Sequence, residues 1–334
     1  YFCFNTLQGC TTKEVKNMKA KYQEEKNTII RELIAIGVPE NQAEIVGDCF
    51  AVADAWGVTS HGIRILPSHI DRVKRGGYNL NPSLNIVRQT AAFAVVDGDN
   101  SFGPVSADFC MHLAMKKAKK VGIYQVFCRN NNTMGPAFYY PLKAAEEGLI
   151  GILFSNSPAQ MAPFGGKEKM LGTNPFSAVI PVPGGDPIII DMATSVVAKS
   201  KFKEYKEAGK PLPAGWALDV DGKPTTDPDE GMKGLVLPMA GFKGYGIAML
   251  IDILSGLVSG ASFLDKVGRF YTEDNACMNV GFCCIVIDPK VVLGEEYEQI
   301  INEYVASVRN SEKSGNDPIC MPGDDRLAFY KSGE

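Results

Sequence analysis

The 334-residue chain has no G-x-G-x-x-G after any strand-like run and no G-x-x-x-x-G-K-[ST] anywhere. A Rossmann cradle and a P-loop are both disfavoured. It lacks a C-x-x-C pair, and its three histidines, His61, His69 and His112, have no zinc spacing, so no metal site is expected. It also lacks a clean membrane span: the longest apolar stretch, residues 245 to 263, carries Asp252, three serines and three glycines, which reads as a buried helix. Neither sign of charge dominates, with 34 Lys and Arg against 38 Asp and Glu and a formal charge of -4. Nothing therefore favours nucleic acid or an anionic membrane as a partner, and the short basic run at 116 to 120 is the solvated face of a helix. Nine cysteines, odd in number and scattered through apolar runs, fit a reducing compartment, hence a cytoplasmic or mitochondrial location. The start at Tyr1 rather than Met raises the expectation that an N-terminal piece is processed or missing.

What is present is an ordinary globular composition, 45% hydrophobic and 22% charged, in a chain long enough for a large core. Thr11 and Glu14 form a capping box before a charged helix that stops at Gly37, ahead of Pro39. A second helix runs to Gly57 and a third is expected over residues 63 to 77, giving a helical N-terminal module to residue 78. Short apolar strands then alternate with turns and helices: LNIVRQ, AFAVVDGD, IYQVFC, LIGILFSN, FSAVIPV, PIIID and, after a long helix from Lys243, FCCIVID. This is a mixed α/β core, closed by the helix EEYEQIINEYVASVRNS.

Several stretches could carry chemistry. RNNNTMGPAFYY, residues 129 to 140, makes a polar loop between a strand and a helix, yet nothing from Asn130 to Gly135 titrates near neutral pH. In TSHGIRILP, His61 stands between Ser60 and Gly62 at a helix entrance and suits a general acid; a lone histidine after an N-capping serine is more often a solvated first-turn residue. Asp191 ends the apolar run of IIIDMATS, where it could bind a ribose hydroxyl, orient an imidazole, or simply cap the next helix. In AGFKGYG, glycines admit a phosphate and Lys243 offers a charge at a helix start. PGDD near the C-terminus is by itself a turn. His112 reads as structural, and His69 is open.

Taken together, TSHGIRILP, VDGDNSFG, PFGGKEKMLGTNPFSAVIP, IIIDMATSVVA, GWALDVDGKPTTDP and LPMAGFKGYGIAMLIDILSGLVSGA resemble, in that order, the malate/L-lactate dehydrogenase family of non-Rossmann NAD(P)-dependent oxidoreductases. Ureidoglycolate dehydrogenase, diketogulonate reductase, sulfolactate dehydrogenase and piperideine-carboxylate reductase belong to the same family. The likeness spans residues 25 to 325. It implies an α/β (α+β) fold with a mixed-sheet dinucleotide-binding domain over residues 79–291 and a helical module formed by residues 1–78 and 292–334. It further implies a homodimer and hydride transfer between a nicotinamide, NAD or NADP, and a small 2-oxo or 2-hydroxy acid. By the same analogy Asp191, Met192, Ala193, Thr194, Phe242, Lys243, Gly323, Asp324 and Asp325 bind cofactor; Arg64, Asn132 and Thr173 face substrate; and Ser60, His61, Thr133 and Asp191 form the catalytic group.

The chain also departs from the family pattern. Thr133 stands where other members carry the acid/base histidine, and a hydroxyl cannot hold and return a proton as an imidazole does. Ile65 replaces an arginine whose fork would grip a carboxylate, and Arg64, one position early, is turned by about 100° on a helix. Trp56 stands in place of arginine and Phe282 in place of histidine. Two readings follow: a reductase with altered substrate choice in which His61 is the sole acid/base and Arg64 or another cation binds the acid, or, favoured for malate-like substrates, a degraded site in a pseudoenzyme that binds dinucleotide or protein partners.

Overall fold

The structure is a computed structural model that describes residues 12–271 and 276–332. The capping box at Thr11 and Glu14 falls outside the described residues and side chains. Helix α1 (Thr12–Ala35) breaks at Gly37, whose φ of 92° turns the chain into Pro39, and α2 (Glu40–Ala55) runs back along it. The third helix is shorter than its sequence suggests. Residues 59 to 65 form two 3-10 turns, Thr59–His61 and Ile63–Ile65, before α3 (Leu66–Lys74). The cause is Asp54, whose carboxylate reaches across from α2 to accept the Ile63 N–H at 2.6 Å and holds the chain open at Gly62.

The strands expected from the apolar runs are all present. They are β1 (Asn85–Gln89), β2 (Phe93–Asp97), β3 (Ile123–Asn131), β4 (Ile150–Ser155), β5 (Phe176–Ile180), β6 (Ile188–Met192) and, far along the chain, β10 (Val280–Ile287). They form a seven-stranded sheet in the order β1-β2-β3-β10-β4-β5-β6. Only β2 and β3 pair in parallel, joined by the crossover helix α4 (Gly103–Val121). Helix α5 (Tyr139–Glu146) follows β3 and packs on the same core. Its Tyr139 hydroxyl meets Asp48 of α2 at 2.5 Å; Asp48 also takes Lys26 at 2.8 Å and the Tyr22 hydroxyl, both from α1.

Between β6 and β10 lie α6 (Ser200–Glu207), β7 (Ala217–Leu218), β8 (Pro224–Thr225), α7 (Pro228–Lys233) and β9 (Leu235–Val236). The three short strands form a second sheet with its own small core, built on Met161, Leu171, Phe202, Leu212 and Val236. Helix α8 (Phe242–Asp252) follows and loosens into a π-helical segment, Ile253–Val258. The expectation of a fully buried helix here is corrected. Gly244, Ala248, Ile251 and Asp252 face inward, but Leu250 and Leu257 are each 55% exposed on the opposite side, with Ile247, Met249, Ile253 and Val258 also exposed.

After β10 come α9 (Pro289–Leu293), α10 (Glu296–Arg309) and α11 (Asp324–Ser332). Helix α10 lays Ile301, Val305 and Val308 over Val182, Ile188 and Met321. Helix α11 returns to the N-terminal helices, where Tyr330 stacks on Trp56 with ring centroids 4.6 Å apart and Phe329 lies against Gly57. One core therefore runs from Tyr22 to Tyr330 through the helices and the main sheet.

Candidate active site

The site begins at the double 3-10 turn. A side chain on Gly62 would occupy the space of the Asp54 carboxylate, so glycine is what permits that carboxylate to cap Ile63 and fix the turn. Ser60 is not a helix cap here. Its hydroxyl lies 2.8 Å from Nδ1 of His61 and orients the ring. His61 is packed into the protein but keeps part of its surface open to a cleft. Burial lowers its pKa below the usual imidazole value; Asp191 pulls it up and Arg326 pushes it down.

The asparagine-rich loop faces this turn, and its asparagines act as pins. Asn130, at φ 52°, gives its N–H to Asn279 Oδ1 at 2.8 Å and its amide to Asp97 at 3.0 Å. Asn131 accepts the Ser106 hydroxyl at 2.6 Å. Asn132 is buried; its amide donates to Asn100 Oδ1 at 2.8 Å and to the Ser101 carbonyl at 2.9 Å, while its oxygen accepts from Met278 N and Arg72, each at 3.3 Å. These bonds occupy its amide. The adjoining Thr133 is partly open and lines the cleft with His61; its backbone is seated by Gly103, where a Cβ would collide with the Thr133 carbonyl.

The third wall comes from β6. Asp191, far from capping a helix, pairs its carboxylate with Arg326 of α11 at 2.6 Å, and its own carbonyl accepts a second Arg326 N–H at 3.2 Å. The Arg326 guanidinium also lies over Phe138, 5.4 Å from the ring centre. Burial raises the Asp191 carboxyl above the usual carboxylate range; Arg326, and more weakly His61, act in the opposite direction. Arg326 is a site residue that sequence reasoning did not single out. Its only signal was its place directly after the GDD turn.

The cleft has two lobes that share Ser60, His61, Thr133, Ser157, Thr173 and Met278. One, of about 360 Å³, is bounded by Asp191, Met192, Ala193 and Arg326. The other, of about 430 Å³, is bounded by Ile65, Gln160, Arg269 and Phe270. Thr173 accepts the Thr194 N–H at 2.9 Å and its hydroxyl at 3.0 Å, which ties the LGTNP loop to the strand end carrying Asp191. Asn174 of that loop accepts the Ser157 N–H at 3.0 Å and donates to the Ala248 carbonyl at 2.9 Å. A third cleft, of about 510 Å³, is lined by Gly165, Gly166, Gly215, Gly222 and Gly241 where α8 begins.

Other expected residues lie apart from the two lobes. Arg64 is exposed and borders neither. Phe242 and Lys243 sit exposed in the first turn of α8, beside the glycine-lined cleft. Gly323, at φ 95°, packs on Ile189; Asp324 holds Arg309 through two bonds of 2.9 Å and accepts the Met321 N–H at 2.8 Å; Asp325 is exposed. Trp56 and Phe282, read as losses of charge from the site, are buried in the core and line neither lobe, so the idea that they alter the site is corrected. His69 is buried against Tyr78, its Nδ1 2.7 Å from that hydroxyl, and His112 pairs with Asp108. Among the described residues there is no cluster of metal-ligating side chains, and no helix is long and apolar enough to cross a membrane.

Known proteins are similar to this chain over most of its length. The model of the malate/L-lactate dehydrogenase family matches residues 20–333. An L-sulfolactate dehydrogenase of Methanocaldococcus jannaschii is 41% identical over 92% of this chain and 89% of its own length, and a malate dehydrogenase of Pyrococcus horikoshii is 40% identical over 85% and 81%. The solved structure of the sulfolactate dehydrogenase from M. jannaschii superposes with a TM-score of 0.88 at 39% identity, covering 94% of this chain and 92% of that one. A mixed, non-Rossmann sheet, a histidine and an aspartate at one cleft, and matches over nine-tenths of the length agree on one conclusion: the chain belongs to the malate/L-lactate dehydrogenase family.

Proposed function

We propose that the protein is an active NAD(P)-dependent oxidoreductase that interconverts a small 2-oxo acid and its 2-hydroxy acid, with His61 as the acid/base. The observation that carries this reading is the union, at one cleft, of a serine-oriented imidazole with the carboxylate of Asp191 inside its electrostatic reach. Burial keeps the imidazole ready to accept a proton from a substrate hydroxyl, and Asp191 stabilises the imidazolium that results. Ser60 holds Nδ1 at 2.8 Å and so fixes the ring in the cleft wall. Thr133 contributes a hydroxyl that can donate to the substrate oxygen without titrating.

The residues present fit a dinucleotide. Ser157 offers a buried hydroxyl with no partner among the described residues on the shared wall of the lobes, and the glycine-lined cleft reaches the start of α8, where backbone N–H groups and Lys243 favour a pyrophosphate. A nicotinamide bound beside Asp191, Met192 and Ala193 would supply the hydride acceptor or donor. Asp324, engaged with Arg309, is assigned to fastening α11 rather than to a ribose. We assign the exposed apolar side of α8 and its π-helical extension to a homodimer interface, since isolated monomers seldom leave so continuous an apolar stripe in water.

The alternative, a pseudoenzyme, rests on Thr133 and on Ile65, which both line the cleft where the family pattern has a histidine and an arginine. Titration with NADH and NADPH, followed by their oxidation in the presence of 2-oxo acids, separates the two readings. The oxidoreductase turns over, and His61→Gln lowers its rate by at least about 10²-fold while leaving cofactor affinity unchanged. Binding without turnover of any acid establishes the pseudoenzyme.

A further inference from the structure

The lobe beyond His61, of about 430 Å³, falls in the range of pockets that hold drug-sized ligands, so a three-carbon acid leaves much of it empty. Among the described residues, those it does not share with the neighbouring lobe are Ile65, Gln160, Arg269, Phe270 and Tyr271. An aliphatic side chain and two aromatic rings thus stand around the same cavity as Met278 and Pro158 of the shared wall.

This apolar surface is fixed by what lies behind it. Ile65 ends the second 3-10 turn, gives its N–H to the Gly62 carbonyl at 3.1 Å and packs against the main core. The Phe270 ring lies 4.8 Å from the ring of His69 and meets Tyr271 edge-on at 4.9 Å between centroids. The imidazole behind Phe270 is uncharged, since burial pushes its pKa down to about 3. Met278, 2% exposed, packs with Phe270, Val267 and Val280, and its N–H is held by Asn132 Oδ1 at 3.3 Å. Ile65, Phe270 and Met278 are therefore parts of the packed interior that open on the cleft. A charged group set against such a wall loses water and gains no partner from it. A hydrocarbon chain gains in proportion to the area it covers.

Gln160 and Arg269 line the lobe as well, and every 2-oxo acid brings one carboxylate for polar groups to hold. What distinguishes these acids is the side chain beyond the reacting carbon. We infer that the wall of Ile65, Phe270 and Met278 receives that side chain, and that the preferred substrate is a 2-oxo acid carrying a bulky apolar side chain, branched or aromatic, rather than a second acid group. The inference rests on the proposed oxidoreductase reading and names its substrate class. Ile65, standing where the family pattern has an arginine, is then a change of specificity and not a lesion.

The test compares reduction of 4-methyl-2-oxopentanoate with that of oxaloacetate and of pyruvate, with NADH and with NADPH. Wild type prefers the branched acid over each of the others by about 10-fold or more in kcat/KM, the low end of what one methylene contributes in an apolar pocket. Ile65→Ala lowers kcat/KM for the branched acid by about 10-fold and leaves that for pyruvate within about twofold, a split that general damage to the site would not produce. Ile65→Arg moves the ratio of oxaloacetate to branched acid by about 10²-fold toward oxaloacetate. A wild type that prefers oxaloacetate or pyruvate overturns the inference. So does an Ile65→Ala enzyme that is unchanged or equally impaired toward both monoanions, or an Ile65→Arg enzyme with the wild-type ratio. Should wild type reduce none of the three acids, the oxidoreductase reading fails, and calorimetric titration with 4-methylpentanoate and with succinate in the presence of NADH decides the lobe separately. Tighter binding of 4-methylpentanoate that Ile65→Ala weakens supports the inference, and every other result overturns it.

Discussion

Gly62→Ala is the substitution through which the site's construction is most directly tested. The added Cβ would lie inside the van der Waals envelope of all three atoms of the Asp54 carboxylate, which must retreat by about 1 Å or more to reach an ordinary contact of about 3.5 Å. That retreat breaks the 2.6 Å bond to the Ile63 N–H, a charge-assisted hydrogen bond worth about 1.5 to 3 kcal/mol, and adds about 1 kcal/mol or more of overpacking. A total near 3 kcal/mol lowers Tm by about 4 °C in a chain of this size. His61 is one residue away, and a displacement of about 1 Å at a catalytic group costs about 10²-fold in rate. Differential scanning calorimetry and kcat at saturating cofactor read the two effects. The double variant Asp54→Ala with Gly62→Ala makes room for the methyl group, so it is less destabilised than the sum of the single changes by about 1 kcal/mol. Wild-type Tm and rate in Gly62→Ala, or strict additivity in the double variant, would falsify the account of how the turn is held.

Three further outcomes follow from the same structure. Because His61 already faces the cleft, Thr133→His raises the rate by less than about tenfold; a gain of about 10²-fold would mean that the site lacked a proton carrier. Leu250→Glu combined with Leu257→Glu converts a dimer into a monomer in sedimentation velocity, and a wild type that is already monomeric at micromolar concentration removes the basis for that interface. His112 is held above its ordinary pKa, first by its hydrogen bond to Asp108. It therefore adds stability that is complete below the unfolded value of about 6.5 and is lost as pH rises through the folded value. Urea midpoints of wild type and His112→Gln should differ at about pH 5.5 and converge at about pH 9, by less than about 1 kcal/mol because the pair is solvent-screened.

The parts of this fold that were readable in the sequence are those written in local periodicity. Every main strand coincides with an apolar run, and α1 and α2 end at Gly37 and Gly57 as glycine chemistry requires. The local pattern overextends the third helix because Asp54, nine residues upstream of Ile63, caps a turn that this pattern does not encode. Helix α8 looks buried in sequence because its apolar residues run all the way round, and periodicity does not say which side a neighbour covers. At the site, His61, Thr133 and Asp191 were legible as individual residues. Arg326 was not, since it joins Asp191 across 135 residues of chain and carries no motif of its own. Trp56 and Phe282 sit where an aligned pattern suggested a polar site, but burial within the aromatic and sheet core decides their role.

The pairing of Asp191 with a residue on the last helix has a consequence for biosynthesis. A ribosome releases the chain from its N-terminus, so the double 3-10 turn, the asparagine loop and strand β6 are all available before residue 326 exists. During that interval Asp191 lacks its guanidinium, Phe138 lacks its cation and Trp56 lacks Tyr330. Closure of this wall of the cleft is thus deferred until α11 has been made. A polypeptide cut short before α11 would leave a buried carboxylate uncompensated and an indole face open, which shifts it toward unfolding and proteolysis.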